Sequence, residues 1–322
     1  MAAGLWIKRI RRLGLLVCCA LLAALPAPAE TAEPSAWPAL SEEGFLETGE
    51  FVYEGAGEGL WRYCSDSLRI EIVRKQQIEP KKLIWYEADI YTRGGEGWQI
   101  VTAEPGRHLA YGIWPSLIAQ RHRVVFGINN DYAQGRYPSK NRSVGLIIRE
   151  GKVLWEKTRT KAVNNFPNLD VMAFMPDGSL QVFDFNEHTA EEYLEMGIRD
   201  IQCFGPWMIR DGELRSDTLN KIGRSINPRT AIGMVENGHY VAVVVEGRYK
   251  ESKGVSLREL ADIMLKKGCT VAFNLDGGTT SAMVFVGLQI NTVGGSKNPN
   301  GSARRVTELI SVGTSERVRA EE

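Results

Sequence analysis

Tyr240-Val241-Ala242-Val243-Val244-Val245, a helix-patterned segment from Ser256 to Gly268, and Thr270-Val271-Ala272-Phe273-Asn274-Leu275-Asp276-Gly277-Gly278-Thr279-Thr280-Ser281 together decide how this chain is read. The first and last stretches are uninterrupted apolar runs of strand length, as strands buried on both faces require. Between them, Ser256 is an N-cap with Glu259 at the third helical position. Leu257, Leu260, Ile263 and Met264 fall on one face, and Gly268 ends the helix. The spacing predicts a strand–helix–strand crossover with its two strands parallel. Glu246 would then follow one strand, and Asn274 and Asp276 the other, at one edge of the sheet, where ligands bind in such arrangements.

The end of the last stretch has two readings. Asp276-Gly277 between the apolar runs Thr270–Phe273 and Ala282–Val286 has the form of a tight hairpin turn. The same residues also suit a site. Gly277 and Gly278 let a ligand approach the backbone, N–H groups and the Thr279, Thr280 and Ser281 hydroxyls suit an anion, and Asp276 can move a proton.

Outward from this core the chain is mainly antiparallel β. Leu68–Arg74 alternates apolar and polar residues, Leu83–Tyr91 is a second strand, and Val124–Ile128 is a short buried one. Hairpins are expected at Glu150-Gly151, Asp177-Gly178 and Asp211-Gly212. Thr189 with Glu192 predicts a second capped helix, Ala190–Met196. The fold class expected is α+β: largely antiparallel sheets, a few packed helices and one crossover near the C-terminus.

The first residues differ in kind. Lys8, Arg9, Arg11 and Arg12 precede the apolar run Leu13–Leu25 and the sequence Pro26-Ala27-Pro28-Ala29. This is the pattern of a secretory signal peptide, and the run is short of the roughly 20 residues a membrane span needs. The expected organisation is a signal peptide at 1–29, a flexible leader at 30–48, one domain at 49–315 and a polar tail at 316–322. Location outside the cytoplasm follows, with no stable membrane span after cleavage. Of 322 residues, 39 are Lys or Arg and 39 are Asp or Glu, so no general attraction to nucleic acid is expected. Beyond the signal region only Cys64, Cys203 and Cys269 remain, widely spaced and without a Cys-x-x-Cys, which points to buried thiols rather than a disulfide framework or a structural zinc site. Neither a phosphate loop nor a Gly-x-Ser-x-Gly motif occurs. No cofactor or metal is expected.

Other candidate site residues lie at strand ends. Arg229, in Asn227-Pro228-Arg229-Thr230, carries a guanidinium fork suited to phosphate oxygens. Asn129, Asn130, Asp131 and Tyr132 close the buried strand with groups that bind sugars, or that make an Asn/Asp turn. Glu246 is either a second carboxylate of an acid–base pair or a surface partner of Arg248. Trp207 is a core residue or a sugar-stacking one.

Asn227–Gly233, Ser256–Gly268 and Asn274–Ser281, in that order and spacing, resemble the phosphodiester glycosidase family. Gly127–Tyr132, Ser143–Gly151 and Gly205–Gly212 fit its patterns too, so the resemblance runs from about Tyr63 to Gly313. Two positions depart from it. Thr279 stands where a third glycine is usual, and Asn130 where glycine is usual. A β-branched residue resists positive φ, so Thr279 is the larger change. The resemblance implies a hydrolase that cleaves a sugar-1-phosphodiester in a phosphorylated envelope or exopolysaccharide glycan. Asp276 or Glu246 would then be nucleophile or base, Asp131 would position sugar hydroxyls, and Arg229, Asn129, Asn274 and Gly277–Thr280 would bind substrate. The alternatives are a metal-dependent phosphoesterase liganded by Asp131, Glu246 and Asp276, and a carbohydrate-binding protein of the same fold without catalysis.

Overall fold

The computed structural model describes residues 36–93, 97–104, 111–130, 145–156, 169–294 and 301–320. Residues 1–35, which include the expected signal peptide, lie outside the described residues, as do Asp131, Tyr132 and Ser143.

Nineteen strands and four α-helices follow one another in the described chain. β1 (Phe51–Gly55), β2 (Leu60–Cys64), β3 (Leu68–Gln77) and β4 (Leu83–Thr92) form a meander. β5 (Gln99–Thr102), α1 (Pro115–Arg121) and β6 (Val124–Asn129) come next, then β7 (Ile147–Arg149) and β8 (Lys152–Trp155). β9 (Asp170–Phe174), β10 (Leu180–Phe183), α2 (Ala190–Glu195) and β11 (Ile201–Phe204) build a small unit. β12 (Trp207–Arg210), β13 (Glu213–Leu214) and α3 (Ser216–Leu219) lead to β14 (Arg229–Glu236), β15 (His239–Val245), α4 (Leu257–Lys266) and β16 (Val271–Leu275). β17 (Met283–Phe285), β18 (Leu288–Gln289) and β19 (Glu308–Thr314) complete the chain.

A nine-stranded sheet, in the order β1-β2-β3-β4-β15-β14-β16-β12-β13, faces a five-stranded sheet, β18-β17-β6-β19-β5. Side-chain alternation explains the layering. Tyr240, Ala242 and Val244 of β15 point with Ile232, Phe273 and Leu275 toward Phe126, Ile128, Met283, Phe285 and Ile310 of the facing sheet. Val241, Val243 and Val245 point the other way, against Leu257, Leu260, Ala261 and Met264 of α4. The outer face of the five-stranded sheet is covered by Ile118 and Ala119 of α1. Four layers result, helix–sheet–sheet–helix. The central strands are apolar throughout because both of their faces are covered.

The class is α+β and largely antiparallel, as expected, and the three hairpins and both capping boxes form. β15 and β16 run in the same direction, as the expected crossover requires, and β14 lies between them, pairing antiparallel with both, Thr230 standing opposite Val244 and Leu275. The hairpin reading of Asp276-Gly277 fails, because β17 pairs with β6 and β18 in the other sheet. Residues 37–48, expected as a flexible leader, pack on the first strands. Trp37 lies 6.0 Å from the Phe51 ring and beneath Arg62, Phe45 is buried, and the Leu46 N–H donates to the Ser65 carbonyl. Val318, in the expected polar tail, joins the core. Cys64, Cys203 and Cys269 are buried free thiols.

Phe273 is fully buried between the two sheets. Phe273→Ala is expected to cost about 3–5 kcal/mol of stability, against about 1 kcal/mol for Ser256→Ala, which removes only the α4 cap. Denaturant unfolding of both variants measures the difference.

Candidate active site

From Leu275 the chain passes through Asp276 and Gly277, makes a 3-10 turn over Gly278–Thr280 and enters β17. The run is therefore the bridge from one sheet to the other. Both glycines answer to close neighbours. A Cβ on Gly277 would come 2.7 Å from the Pro228 carbonyl oxygen, and Gly278 has φ +67° with the Arg248 guanidinium 3.1 Å from where its Cβ would be. Thr279 sits inside the 3-10 turn without positive φ, and Asn130 likewise avoids it, so the anticipated strain is absent at both.

Asn129 anchors this bridge. It is fully buried at the end of β6. Its Nδ2 donates to the Asp276 carbonyl at 2.7 Å and to the Asn130 carbonyl at 3.1 Å. Its Oδ1 accepts from Thr230 Oγ1 at 2.8 Å and from the Ala282 N–H at 3.0 Å. Two donors and two acceptors exhaust a carboxamide. Asn129 thus positions the run and has no capacity left for the substrate contact expected of it. Asn274, also buried, donates from Nδ2 to the Gly205 carbonyl at 2.8 Å, and its Oδ1 has no partner among the described residues.

The main chain of the run is also largely committed. Gly277 N–H donates to Asp276 Oδ1 at 2.8 Å, Gly278 N–H to the Pro228 carbonyl, and Thr280 N–H to the Gly277 carbonyl. The expected cradle of N–H groups is therefore not formed at these three positions. Thr280 Oγ1 and Ser281 Oγ, by contrast, are buried without a partner among the described residues.

Positive charge surrounds the run instead. Arg229 is opposite Val245 and one step from the Thr230–Leu275 pair, which puts it beside Asp276 in the sheet. Its guanidinium donates to the carbonyls of Val255 (3.2 Å), Ser225 (3.0 Å) and Gly223 (3.3 Å). Burial, then the neighbouring Arg248, pull its pKa down to about 10, so it stays cationic at neutral pH. Arg248 donates to Asn227 Oδ1 through Nε and Nη2. Arg304 donates from Nη2 to Thr279 Oγ1 and from its N–H to the Thr279 carbonyl, both at 2.6 Å. Among the described residues none of these three arginines has a carboxylate partner. Arg248 and Arg304 were not singled out from the sequence for phosphate binding. An arginine following an apolar strand or a glycine-rich loop was the available signal.

Glu246 is almost fully buried and leaves Arg248 alone, so the surface-pair reading is overturned. Its Oε1 accepts the Thr292 N–H at 2.5 Å and its Oε2 accepts the Tyr249 hydroxyl. Burial pushes its pKa above the ordinary 4.5, against the lowering pull of those hydrogen bonds. Glu246 and Asp276 flank Pro228-Arg229, with about 9–10 Å between their main chains at two strand spacings. The side chains of Arg229, Glu246 and Asp276 share this edge but no hydrogen bond with one another.

A buried ion pair lies next to the same edge and was missed in the sequence. Arg149 grips Glu308 with Nε and Nη2 (3.1 and 2.7 Å), while Nη1 donates to the carbonyls of Ile148 and Ile201. Asn130 Nδ2 also donates to Glu308, at 3.2 Å. A charged residue ending or opening an apolar run, as Arg149 and Glu308 do, was its only trace. Trp207 lies under Arg215 at 4.3 Å and donates from Nε1 to Asp184, a structural setting rather than an open stacking platform.

The model of a family described as phosphodiester glycosidase matches residues 122–312, more than half of the chain. The prophage-derived protein YomE of Bacillus subtilis is 28% identical over 197 residues, 61% of this chain and 29% of YomE. Human N-acetylglucosamine-1-phosphodiester alpha-N-acetylglucosaminidase is 30% identical over 153 residues, 42% of this chain and 29% of that protein. The chain thus spans less than a third of these curated relatives. Among solved structures, the zebrafish catalytic domain of the same glucosaminidase, auto-inhibited by its pro-peptide, superposes with a TM-score of 0.59. It is 17% identical, with 78% of this chain and 85% of that one covered. Order of motifs, layered sheets and family match agree: the chain belongs to the phosphodiester glycosidase family.

Proposed function

We propose that this chain is a hydrolase that cleaves the glycosidic bond of a sugar-1-phosphodiester in an envelope or exopolysaccharide glycan, releasing the sugar and leaving a phosphomonoester. The observation that carries this reading is the set of three arginines around Asp276–Thr280 that have no carboxylate partner among the described residues. Guanidinium groups lacking a counter-ion suit the charge that builds on a departing phosphate ester. Thr280 and Ser281 hydroxyls add neutral donors at the same place. Such a leaving group needs little help from an acid, so one reacting carboxylate suffices. Asp276 takes that role, as nucleophile or base. Glu246, with both oxygens held by Tyr249 and Thr292, keeps the 291–294 segment at the rim. Asp131, outside the described residues, follows Asn130 and is assigned to sugar hydroxyls. The basic head, short apolar run and Ala-x-Ala end of residues 8–29 support secretion.

Asp276→Asn is expected to lower turnover on the methyl phosphodiester of N-acetylglucosamine 1-phosphate by about 10²–10⁴-fold, with the melting temperature unchanged. Arg248→Ala and Arg304→Ala are expected to raise KM, and chelator is expected to leave the wild-type rate intact. Release of free sugar is the readout, and near-normal turnover in Asp276→Asn removes that residue from the chemistry.

Glu246 gives a separate stability test. Its raised folded pKa means the folded state favours the neutral acid, so the wild type loses stability as pH rises from 4.5 through the folded value. The melting temperature of Glu246→Gln relative to wild type is expected to climb between pH 4 and pH 7. A constant difference across that window contradicts the assignment. For secretion, N-terminal sequencing of protein recovered outside the cytoplasm is expected to begin near Glu30.

A further inference from the structure

At the opposite edge of the nine-stranded sheet, about 25 Å from Arg229 at roughly 3.3 Å per residue along β14, lies a cavity of about 650 Å³. That is within the range of about 300–1,000 Å³ usual for small-molecule sites. One wall is held firm by turn-to-turn bonds. Asn237 Nδ2 donates to the Asp177 carbonyl at 2.9 Å, and the Tyr240 hydroxyl donates to the Gly178 carbonyl at 2.5 Å. An aromatic group forms the interior, with Trp98 stacked on Phe174 at 5.2 Å and set edge-on to Tyr240 at 5.5 Å.

The charged residues here are already engaged. Arg93 pairs with Glu43, Asp177 accepts from Ser179, Asp200 accepts the Glu150 N–H, and Arg199 donates to the Glu150 carbonyl. What remains unmatched is neutral. Gln202, which lines the cavity and has no solvent exposure, has neither its Oε1 nor its Nε2 bonded among the described residues, and the Trp98 Nε1–H is also buried without an acceptor. Buried polar groups nearly always have partners.

We propose that this cavity is a second binding site, specific for a neutral saccharide and separate from the Asp276 edge. A pyranose supplies what is lacking: hydroxyls that both donate and accept for the Gln202 amide, an acceptor for the indole, and a C–H face for the aromatic wall. The lining carries two arginines, Arg93 and Arg199, against two aspartates, Asp177 and Asp200, a balance that sets this site apart from the arginine-lined edge.

The full chain is tested on an array of neutral tri- to hexasaccharides beside sialylated and phosphorylated ones, and the strongest neutral ligand is then titrated against variants. Retention of a neutral glycan is expected, with affinity at least tenfold weaker in Gln202→Leu and in Trp98→Phe and unchanged in Asp276→Asn. Gln202→Leu is expected to melt no lower than wild type, since it removes an unbonded buried amide. The proposal is overturned if no neutral glycan is retained, if both cavity variants bind normally, or if Asp276→Asn abolishes retention. A lower melting temperature for Gln202→Leu also overturns it, because the amide would then have a partner within the protein.

Discussion

The carboxamide of Asn129 is the constraint on which the candidate site depends. One side chain holds β6 of the five-stranded sheet, Thr230 of the nine-stranded sheet, and both ends of the bridge between them, Asp276 and Ala282. Burial in an apolar sandwich makes each of those four bonds hard to exchange for water. The bridge can therefore carry reactive groups on a short irregular run without loosening the sheets. Its geometry is set by a side chain with no bonding capacity to spare, while the Thr280 and Ser281 hydroxyls are buried without a partner among the described residues.

Charge is distributed by the same logic. The chain is neutral as a whole, yet arginines collect around residues 277–279 without acidic partners among the described residues, and Glu246 is turned away into its own pocket with Tyr249 and Thr292. Keeping the carboxylate apart from the guanidinium groups preserves a local positive field in a molecule with no general attraction to polyanions. Thr279, which departs from the family's usual glycine, contributes by accepting a hydrogen bond from Arg304.

Local signals were readable and remote pairings were not. The Ser256–Glu259 and Thr189–Glu192 capping boxes are written within four residues and form as expected. The apolar run Tyr240–Val245 announced a strand covered on both faces, and one lies at the centre of the sheet. That β14 would insert between β15 and β16 was not legible, because strand order depends on the whole sandwich rather than on the crossover. Nor was the fate of Ala282–Val286, which pairs with a strand some 150 positions earlier. Arg149 and Glu308 are 159 positions apart, and nothing local to either names the other. In the sequence Asn129 stands out only by its position at a strand end, and only the sandwich reveals that its amide is spent on the protein itself.

The Arg149–Glu308 pair also bears on how such a protein can change over generations. Removing either partner takes from the other its opposite charge in a dry interior, at about 3–5 kcal/mol. Single-step drift at these two codons is therefore closed off, and Asn130 and Ile201, which bond to the same groups, are tied to the outcome. The floor beneath this edge can be inherited intact or rebuilt in concert, but not eroded one position at a time.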